Sequence, residues 1–338
     1  MRMEARPFFS IVIPVYNGVS QGLDRCLDSI WSQPLDSELY EVVCVDDCSA
    51  DGSRSWIREQ QKLHPNLRLV ENVRNMRQGG SRNHGFREAR GKYIMLIDQD
   101  DYYDPQAFEK VYNHLKGNDL EILIVDCAYE SPGHTSNKLQ HNFPHREVMT
   151  GDEIIVRNSI PYAPWKFIFK RSLVLENDLY FIENERIEDV DWVHLLTHRA
   201  QRVQYQPILF IHYQKTAIST TMTSYRTPVT TYSTLHLSRR MRQQVADGPL
   251  SDAQPGVKEY VMRLSDRFLY LGLRNYFFMW DSLKSKKKEI VSVPRKGVNG
   301  NSVVRFALRM PLAYAVITNV CVPFGLIAMK LYRMLKYK

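Results

Sequence analysis

The chain has 338 residues, of which 44% are hydrophobic and 24% charged, as in a folded protein with a substantial core. Its five cysteines form no CxxC pair and its histidines do not cluster, which excludes a disulfide framework and a structural zinc site. Much of the net charge of +8 lies near the C-terminus, which favours a membrane surface over nucleic acid. Because no apolar signal region precedes the first strand, we expect a cytoplasmic protein.

Strand and helix patterns alternate over the first 130 residues. Apolar strands are predicted at 8–15, 40–45, 67–71, 93–97 and 121–126, and helices at 22–33, 53–63, 81–90 and 105–116. Continuous apolar strands that alternate with helices predict an α/β fold with a Rossmann-like, mostly parallel sheet covered on both faces. Ligands bind such sheets beyond the carboxyl ends of the strands.

The later sequence extends this domain and then becomes helical. Residues 131–146 are polar and fit a surface excursion or a small hairpin. After them, helices are predicted at 151–158, 172–177 and 187–200, and a paired strand at 203–213. We expect a first domain over residues 1–230, with halves 1–130 and 131–230, and a helical C-terminal region over 231–338.

Two acidic segments lie at predicted strand ends. Residues 98–101 (DQDD) place three carboxylates in four positions, where their mutual repulsion favours a bound cation. Mg²⁺ or Mn²⁺ binds one or two protein carboxylates and completes its shell with diphosphate oxygens. A solvated turn before the next helix fits the local sequence equally well. Asp46 and Asp47 similarly fit either an Asx-type turn or a hydrogen-bonding site for a base or ribose.

The Glu188-Asp189 pair and Trp165 each have two interpretations as well. Glu188 and Asp189 open a predicted helix, where the macrodipole alone favours carboxylates. A carboxylate there could instead serve as a general base. Trp165 could stack on a sugar face or belong to the core.

Four ordered segments resemble family 2 inverting glycosyltransferases of bacterial polysaccharide biosynthesis. They are FSIVIPVYNG at 9–18, VVCVDDCSADGS at 42–53, GGSRNHGFREARGKYIMLIDQDD at 79–101, and Trp165-Lys166 followed by IEDVDW at 187–192. The resemblance covers about residues 8–220 and implies the GT-A nucleotide-diphospho-sugar transferase fold, with a C-terminal helical extension.

The resemblance also implies roles for individual residues. On the donor side, Pro14, Tyr16 and Asn17 line a nucleobase pocket, Asp46 hydrogen-bonds the nucleobase, and Arg82 binds the nucleobase edge or the diphosphate. Asp98 contacts the ribose or sugar, and Asp100 together with Asp98 holds Mn²⁺ or Mg²⁺. On the acceptor side, Asp189 is the catalytic base, Glu188 orients or binds the acceptor, and Trp165 and Lys166 lie nearby. Asp101 either joins the metal or supports the loop.

The expected reaction moves a hexosyl or N-acetylhexosaminyl group from a nucleotide-diphosphate donor, with UDP favoured, to a hydroxyl of a glycan or lipid-linked acceptor. One alternative is a nucleotidyltransferase, although the PVYNG segment at 14–18 lacks the Gly-rich, lysine-bearing loop of that class. Another is a non-catalytic sugar- or nucleotide-binding scaffold in a membrane assembly, against which the intact Asp98, Asp100 and Asp189 argue.

The C-terminal tail suggests a membrane surface. Residues 310–329 carry no formal charge, are flanked by Arg and Lys, and are interrupted by Pro311 and Pro323. This pattern favours a helix at an anionic interface over a spanning helix, and a hairpin packed on the first domain is the alternative. We expect a peripheral location on the inner face of the plasma membrane.

Overall fold

A computed structural model describes residues 6–131, 134–138, 147–157, 160–214 and 227–276. The chain divides into two compact units, Met1–Ala217 and Ile218–Lys338. The domain limits drawn from the sequence stay a prediction. Residues 303–335, the predicted membrane-binding tail, lie outside the described residues. Within the described ranges, no helix is both long enough and apolar enough to span a bilayer.

The N-terminal half of the first unit is a parallel sheet. Strands β1 (Phe9–Val15), β2 (Tyr40–Asp46), β3 (Leu67–Glu71) and β4 (Tyr93–Leu96) stand in the order β3-β2-β1-β4, and every pair is parallel. All residues of β1, β2 and β4 are buried, as expected for apolar strands covered on both faces. The predicted alternation of parallel strands and helices is confirmed in this half.

The other half of the sheet is mixed. It contains β5 (Tyr102–Tyr103), β6 (Ile122–Ser131), β7 (His134–Lys138), β8 (Phe167–Lys170) and β9 (Val203–Gln214). Strand β8 lies between β4 and β6 and is antiparallel to both, whereas β6 and β9 are parallel. Strand β5 pairs with β9 at the edge, and β7 forms a hairpin with β6. Hydrophobic periodicity does not report strand direction, so the sequence could not specify this half.

Seven described helices belong to the first unit. They are α1 (Leu23–Trp31), α2 (Ser53–Leu63), α3 (Arg77–Glu88), α4 (Ala107–Lys116), α5 (Gly151–Arg157), α6 (Arg171–Glu176) and α7 (Asp189–Arg199). Helix α3 begins four residues before the predicted start at Ser81, because the Asp47 carboxylate accepts hydrogen bonds from the backbone N–H groups of Met76 and Arg77 at 2.6 and 2.8 Å. Asp47 thus satisfies two N–H groups that a helix start leaves without partners.

The second unit contains a helix pair in its described part, α8 (Pro228–Ala246) and α9 (Pro255–Tyr276). Thr227 caps α8, since its hydroxyl accepts from the Thr230 N–H at 3.2 Å and proline follows at the first helical position. Apolar side chains are buried on both helices, including Leu237 and Val261. The predicted helical extension is confirmed over these residues.

Candidate active site

The loop after β1 is fastened to the loop after β2. Asn17 donates its backbone N–H to Ser49 Oγ at 2.9 Å and accepts from the Ala50 N–H through Oδ1 at 2.8 Å. Its φ of 51° lies in the left-handed region, which asparagine tolerates better than most residues. Pro14 is buried in β1, and Tyr16 is half exposed. The three predicted base-pocket residues therefore lie at the carboxyl end of β1 and in the loop after it.

Asp46 and Asp47 have separate tasks, although they are neighbours. Asp46 is buried, and its Oδ2 accepts from the Ser49 N–H at 3.2 Å and lies 3.1 Å from Arg54 Nε. Its Oδ1 has no hydrogen-bond partner within the described residues. Asp47 is occupied by the start of α3, as described above. Of these two aspartates, Asp46 therefore keeps a buried acceptor oxygen that has no partner among the described residues.

Arg82 connects the two acidic regions of the first unit. Its side chain is 3% exposed and lies 5.3 Å from the centre of the Phe181 ring. Nη2 donates to Asp98 Oδ1 at 2.7 Å, and Nη1 donates to Glu188 Oε1 at 3.0 Å. The sequence assigned Arg82 to the base edge or diphosphate, whereas its described partners are these two carboxylates. No local pattern could reveal the pairing, because Glu188 lies 106 positions away.

Gly79 allows the segment that leads to Glu188 to approach α3 closely. A Cβ on Gly79 would lie 2.8 Å from the Ile182 carbonyl oxygen and 3.0 Å from Glu188 Cγ. Any larger residue would push residues 182–188 away from the helix that carries Arg82. The close approach therefore explains why glycine, rather than a better helix former, occupies this turn of α3.

The DQDD loop concentrates uncompensated negative charge. Burial and the nearby Asp98 raise the pKa of Asp100 to about 6. Burial and both neighbouring carboxylates also raise the pKa of Asp101, which is fully buried. Asp101 Oδ1 accepts from the Gln214 N–H at 2.8 Å, while its Oδ2 has no partner in the described part of the chain. This geometry supports the loop-supporting alternative for Asp101.

The donor set of this loop fits a divalent cation that the substrate helps to hold. Within the described ranges, no group of three His, Cys, Asp or Glu side chains forms a complete metal site. Mg²⁺ and Mn²⁺ need only one or two protein carboxylates when diphosphate oxygens complete the shell. The pKa of Asp100 is raised first by burial and then by the neighbouring Asp98, and a cation bound beside it would oppose both effects.

Glu188 and Asp189 begin α7. Burial raises the pKa of both carboxyl groups, and the Arg82 guanidinium opposes this rise. Glu188 is buried against Arg82, whereas Asp189 is partly exposed. Asp189 is therefore the member of the pair that a bound hydroxyl could reach.

Trp165 and Lys166 are both buried, with 6% and 2% of their surface exposed. The Trp165 ring stacks on Tyr213, with a centroid separation of 5.6 Å and an interplanar angle of 16°. This environment is that of a core tryptophan, the second of the two interpretations drawn from the sequence.

One contact at the site had no sequence signal beyond its position. Gln99 lies between Asp98 and Asp100, and its side-chain amide binds the backbone of Tyr16 on the loop after β1. Sequence reasoning missed this role, because the spacing of the aspartates draws attention to the carboxylates alone.

Comparison with known proteins gives a family and a curated relative. Residues 10–177 match the family model described as Glycosyl transferase family 2. The chain is 33% identical over 174 residues to the poly(ribitol-phosphate) beta-glucosyltransferase of Bacillus spizizenii, a match that covers 51% of this chain and 26% of that protein. The chain thus spans about a quarter of the length of that relative.

Solved structures share the fold. S. aureus TarS 1–349 in complex with UDP-GlcNAc aligns with a TM-score of 0.64 at 19% identity, covering 91% of this chain and 88% of that one. The mannosyltransferase PcManGT of Pyrobaculum calidifontis, in complex with GDP-Man and Mn²⁺, aligns with a TM-score of 0.54 at 17% identity, covering 94% and 87%. These likenesses concern the fold alone, and they confirm the predicted GT-A type with C-terminal helices.

Replacing Arg82 should expose how much the fold depends on its charge. We expect Arg82→Ala to lower the free energy of unfolding by about 3–5 kcal/mol at pH 8, because two buried carboxylates lose their counter-charge. The deficit relative to wild type should shrink toward pH 5. Arg82 opposes the rise in the pKa of Glu188, so its removal raises that pKa further, and the proton that the folded variant then binds restores part of the lost stability as the pH falls.

Urea denaturation at both pH values measures this difference. Arg58→Ala is the matched control, because its ion pair with Glu71 joins two exposed side chains, and it should change stability by less than about 1 kcal/mol. A pH-independent deficit in Arg82→Ala would show that the ion pairs are not what Arg82 contributes.

Proposed function

Because the chain belongs to glycosyl transferase family 2 through its residues 10–177, we propose that it transfers a sugar from a nucleotide-diphosphate donor to an acceptor hydroxyl. The observation that carries the proposal is the double contact of Arg82, which brings Asp98 and the Glu188-Asp189 pair to one site. A donor-side carboxylate and Glu188, the residue next to the candidate base Asp189, are thereby held by the same guanidinium.

A UDP-sugar is the proposed donor. Asp46 Oδ1 can accept a hydrogen bond from a base imide N–H, and this oxygen has no partner among the described residues. The UDP-GlcNAc complex of TarS, a protein of the same fold, supports this choice. A glycan or lipid-linked acceptor of cell-surface polysaccharide biosynthesis is supported by the name of the Bacillus relative, a poly(ribitol-phosphate) glucosyltransferase.

Asp100 and Asp98 would hold a divalent cation. When bound there, Mn²⁺ or Mg²⁺ would stabilise the charge of the departing diphosphate. The Mn²⁺ in the PcManGT complex supports this assignment. Arg25 and Gln214 keep the loop in place, since Arg25 Nη2 donates to the Asp100 carbonyl at 2.7 Å and the Gln214 N–H donates to Asp101.

Asp189 would act as the base in a single displacement. Its carboxylate takes the proton of the acceptor hydroxyl while that oxygen bonds to the anomeric carbon and the bond to the diphosphate breaks. Attack opposite the leaving group inverts the anomeric configuration. Glu188, held by Arg82, would keep the start of α7 oriented toward the donor.

Removing either carboxylate should abolish most of the transfer. We expect Asp189→Asn to lower kcat by about 10²- to 10⁴-fold, since an amide cannot accept the proton. Asp100→Ala should cause a comparable loss, because the cation that would stabilise the charge of the departing diphosphate loses its main protein ligand. The assay measures sugar transfer from a panel of nucleotide sugars with Mn²⁺, with the exposed Asp28→Asn as control. Turnover of Asp189→Asn at the wild-type rate would contradict the mechanism.

The pH dependence of the reaction should report Asp189. Burial raises the pKa of Asp189 to about 6, so its basic form is lost as the pH falls through that value. We expect kcat/KM to fall at least about tenfold per pH unit below about pH 6, and more steeply where Asp100, whose pKa is also raised to about 6, is protonated in the same range. A pH profile measured with subsaturating donor and acceptor tests this. A flat profile down to pH 5 would exclude a base with this pKa.

We also propose that the C-terminal tail attaches the protein to the cytoplasmic face of a membrane. The support is the sequence of residues 303–335, where basic and aromatic side chains flank an uncharged stretch. A chain that ends at residue 302 should move from the membrane fraction to the supernatant on cell lysis, whereas the full chain should stay with the membrane. Retention of the shortened chain would overturn the proposal.

A further inference from the structure

Gln99 forms a two-point contact with the backbone of the loop after β1. Its Oε1 accepts from the Tyr16 N–H at 2.9 Å, and its Nε2 donates to the Tyr16 carbonyl oxygen at 3.0 Å. Nε2 also lies 3.2 Å from Gln21 Oε1. The amide therefore pairs with both backbone groups of Tyr16, as a residue on a neighbouring strand would. A side chain needs both a donor and an acceptor for this contact, which a carboxylate or an apolar chain lacks.

The backbone of the partner loop is shaped for the same contact. A Cβ on Gly18 would lie 2.9 Å from Gln99 Oε1, so the loop approaches the amide as closely as glycine permits. The same loop is tied to the strand end that bears Asp46 through the bonds of Asn17 with Ser49 and Ala50. Gln99 is thus the direct link from the DQDD loop to the predicted base pocket.

We infer that Gln99 is a positioning residue that couples nucleotide binding to metal binding. This inference rests on the proposed function. Asp98 and Asp100 flank Gln99, so any shift of the Tyr16 peptide moves the two carboxylates that would hold the cation. A nucleotide that orders the loop after β1 thereby orders the metal ligands, and thermodynamic linkage makes the effect reciprocal.

A purely structural role for Gln99 predicts something different. It would lower the stability of the protein and weaken UDP and Mn²⁺ binding separately, but it would leave unchanged the factor by which Mn²⁺ tightens UDP binding. That factor is the readout that separates the two roles. Gln99→Met serves as the test variant, because it keeps the length and approximate volume of the side chain and removes both hydrogen bonds.

The experiment measures UDP affinity by calorimetry with and without Mn²⁺. We expect the Mn²⁺-dependent gain in affinity to fall at least about fivefold in Gln99→Met. Gln106→Met, an exposed glutamine just before α4, is the matched control and should keep the wild-type gain. Gly18→Ala is the second variant, since its added methyl group presses on the same contact, and it should reduce the gain in the same direction.

The outcomes separate this inference from the proposed function. If the wild-type protein binds UDP more tightly with Mn²⁺ but Gln99→Met shows the same gain, the coupling role is wrong and the proposed function stands. If Gln99→Met does not fold, an unchanged gain in Gly18→Ala overturns the inference. If wild type binds none of UDP, GDP and dTDP with Mn²⁺, the proposed function fails, and the inference fails with it.

Discussion

The guanidinium of Arg82 is buried between two carboxylates that are far apart in the sequence of the first unit. One belongs to Asp98, which follows the central strand β4, and the other to Glu188, which precedes α7. Burying three charged groups costs several kcal/mol for each ion unless they satisfy one another. Separating α3 from the end of β4 or from the start of α7 would therefore leave a buried charge without its partner. The same arrangement brings the candidate donor and acceptor groups together.

The rest of the site follows from this arrangement. Asp47 sets where α3 begins and hence where Arg82 lies along the helix. Gly79 lets the segment that leads to Glu188 approach that helix. Two carboxylates on one guanidinium leave the cluster net negative, and Asp100 and Asp189 add two more carboxyl groups, whose pKa values are raised chiefly by burial. An electrostatic surplus of this kind suits a site that takes a cation with its substrate.

The parallel half of the fold could be predicted from the sequence, whereas the mixed half could not. Strands such as Phe9–Val15 and Tyr40–Asp46 are mostly apolar, fully buried and alternate with helices, and local pattern suffices to identify them. Strand β8 has only four residues, and β5 only two. Their pairing directions depend on distant segments, which periodicity does not report. The predicted start of α3 is wrong for the same reason, since its capping carboxylate belongs to Asp47, the residue after β2.

The candidate site shows the same division. The positions of Asp46 and Asp98 followed from strand ends, and the structure places both at the carboxyl edge of the sheet. The partners of Arg82 and the contact of Gln99 with Tyr16 could not be predicted from strand ends, because these contacts join distant positions. Arg82 and Glu188 are 106 positions apart, and Gln99 and Tyr16 are 83 positions apart. Burial of Trp165 and Lys166 was equally out of reach, since an aromatic–basic pair fits either a surface or a core.

A crystal structure of the protein with UDP and Mn²⁺ tests the central claim most directly. The account predicts Mn²⁺ bound to Asp100 and the diphosphate, the uracil against Asp46, and Arg82 still between Asp98 and Glu188. Asp189 would face the open side of the diphosphate, where an acceptor hydroxyl could enter. Nucleotide bound elsewhere, or a metal that does not contact residues 98–101, would contradict the account.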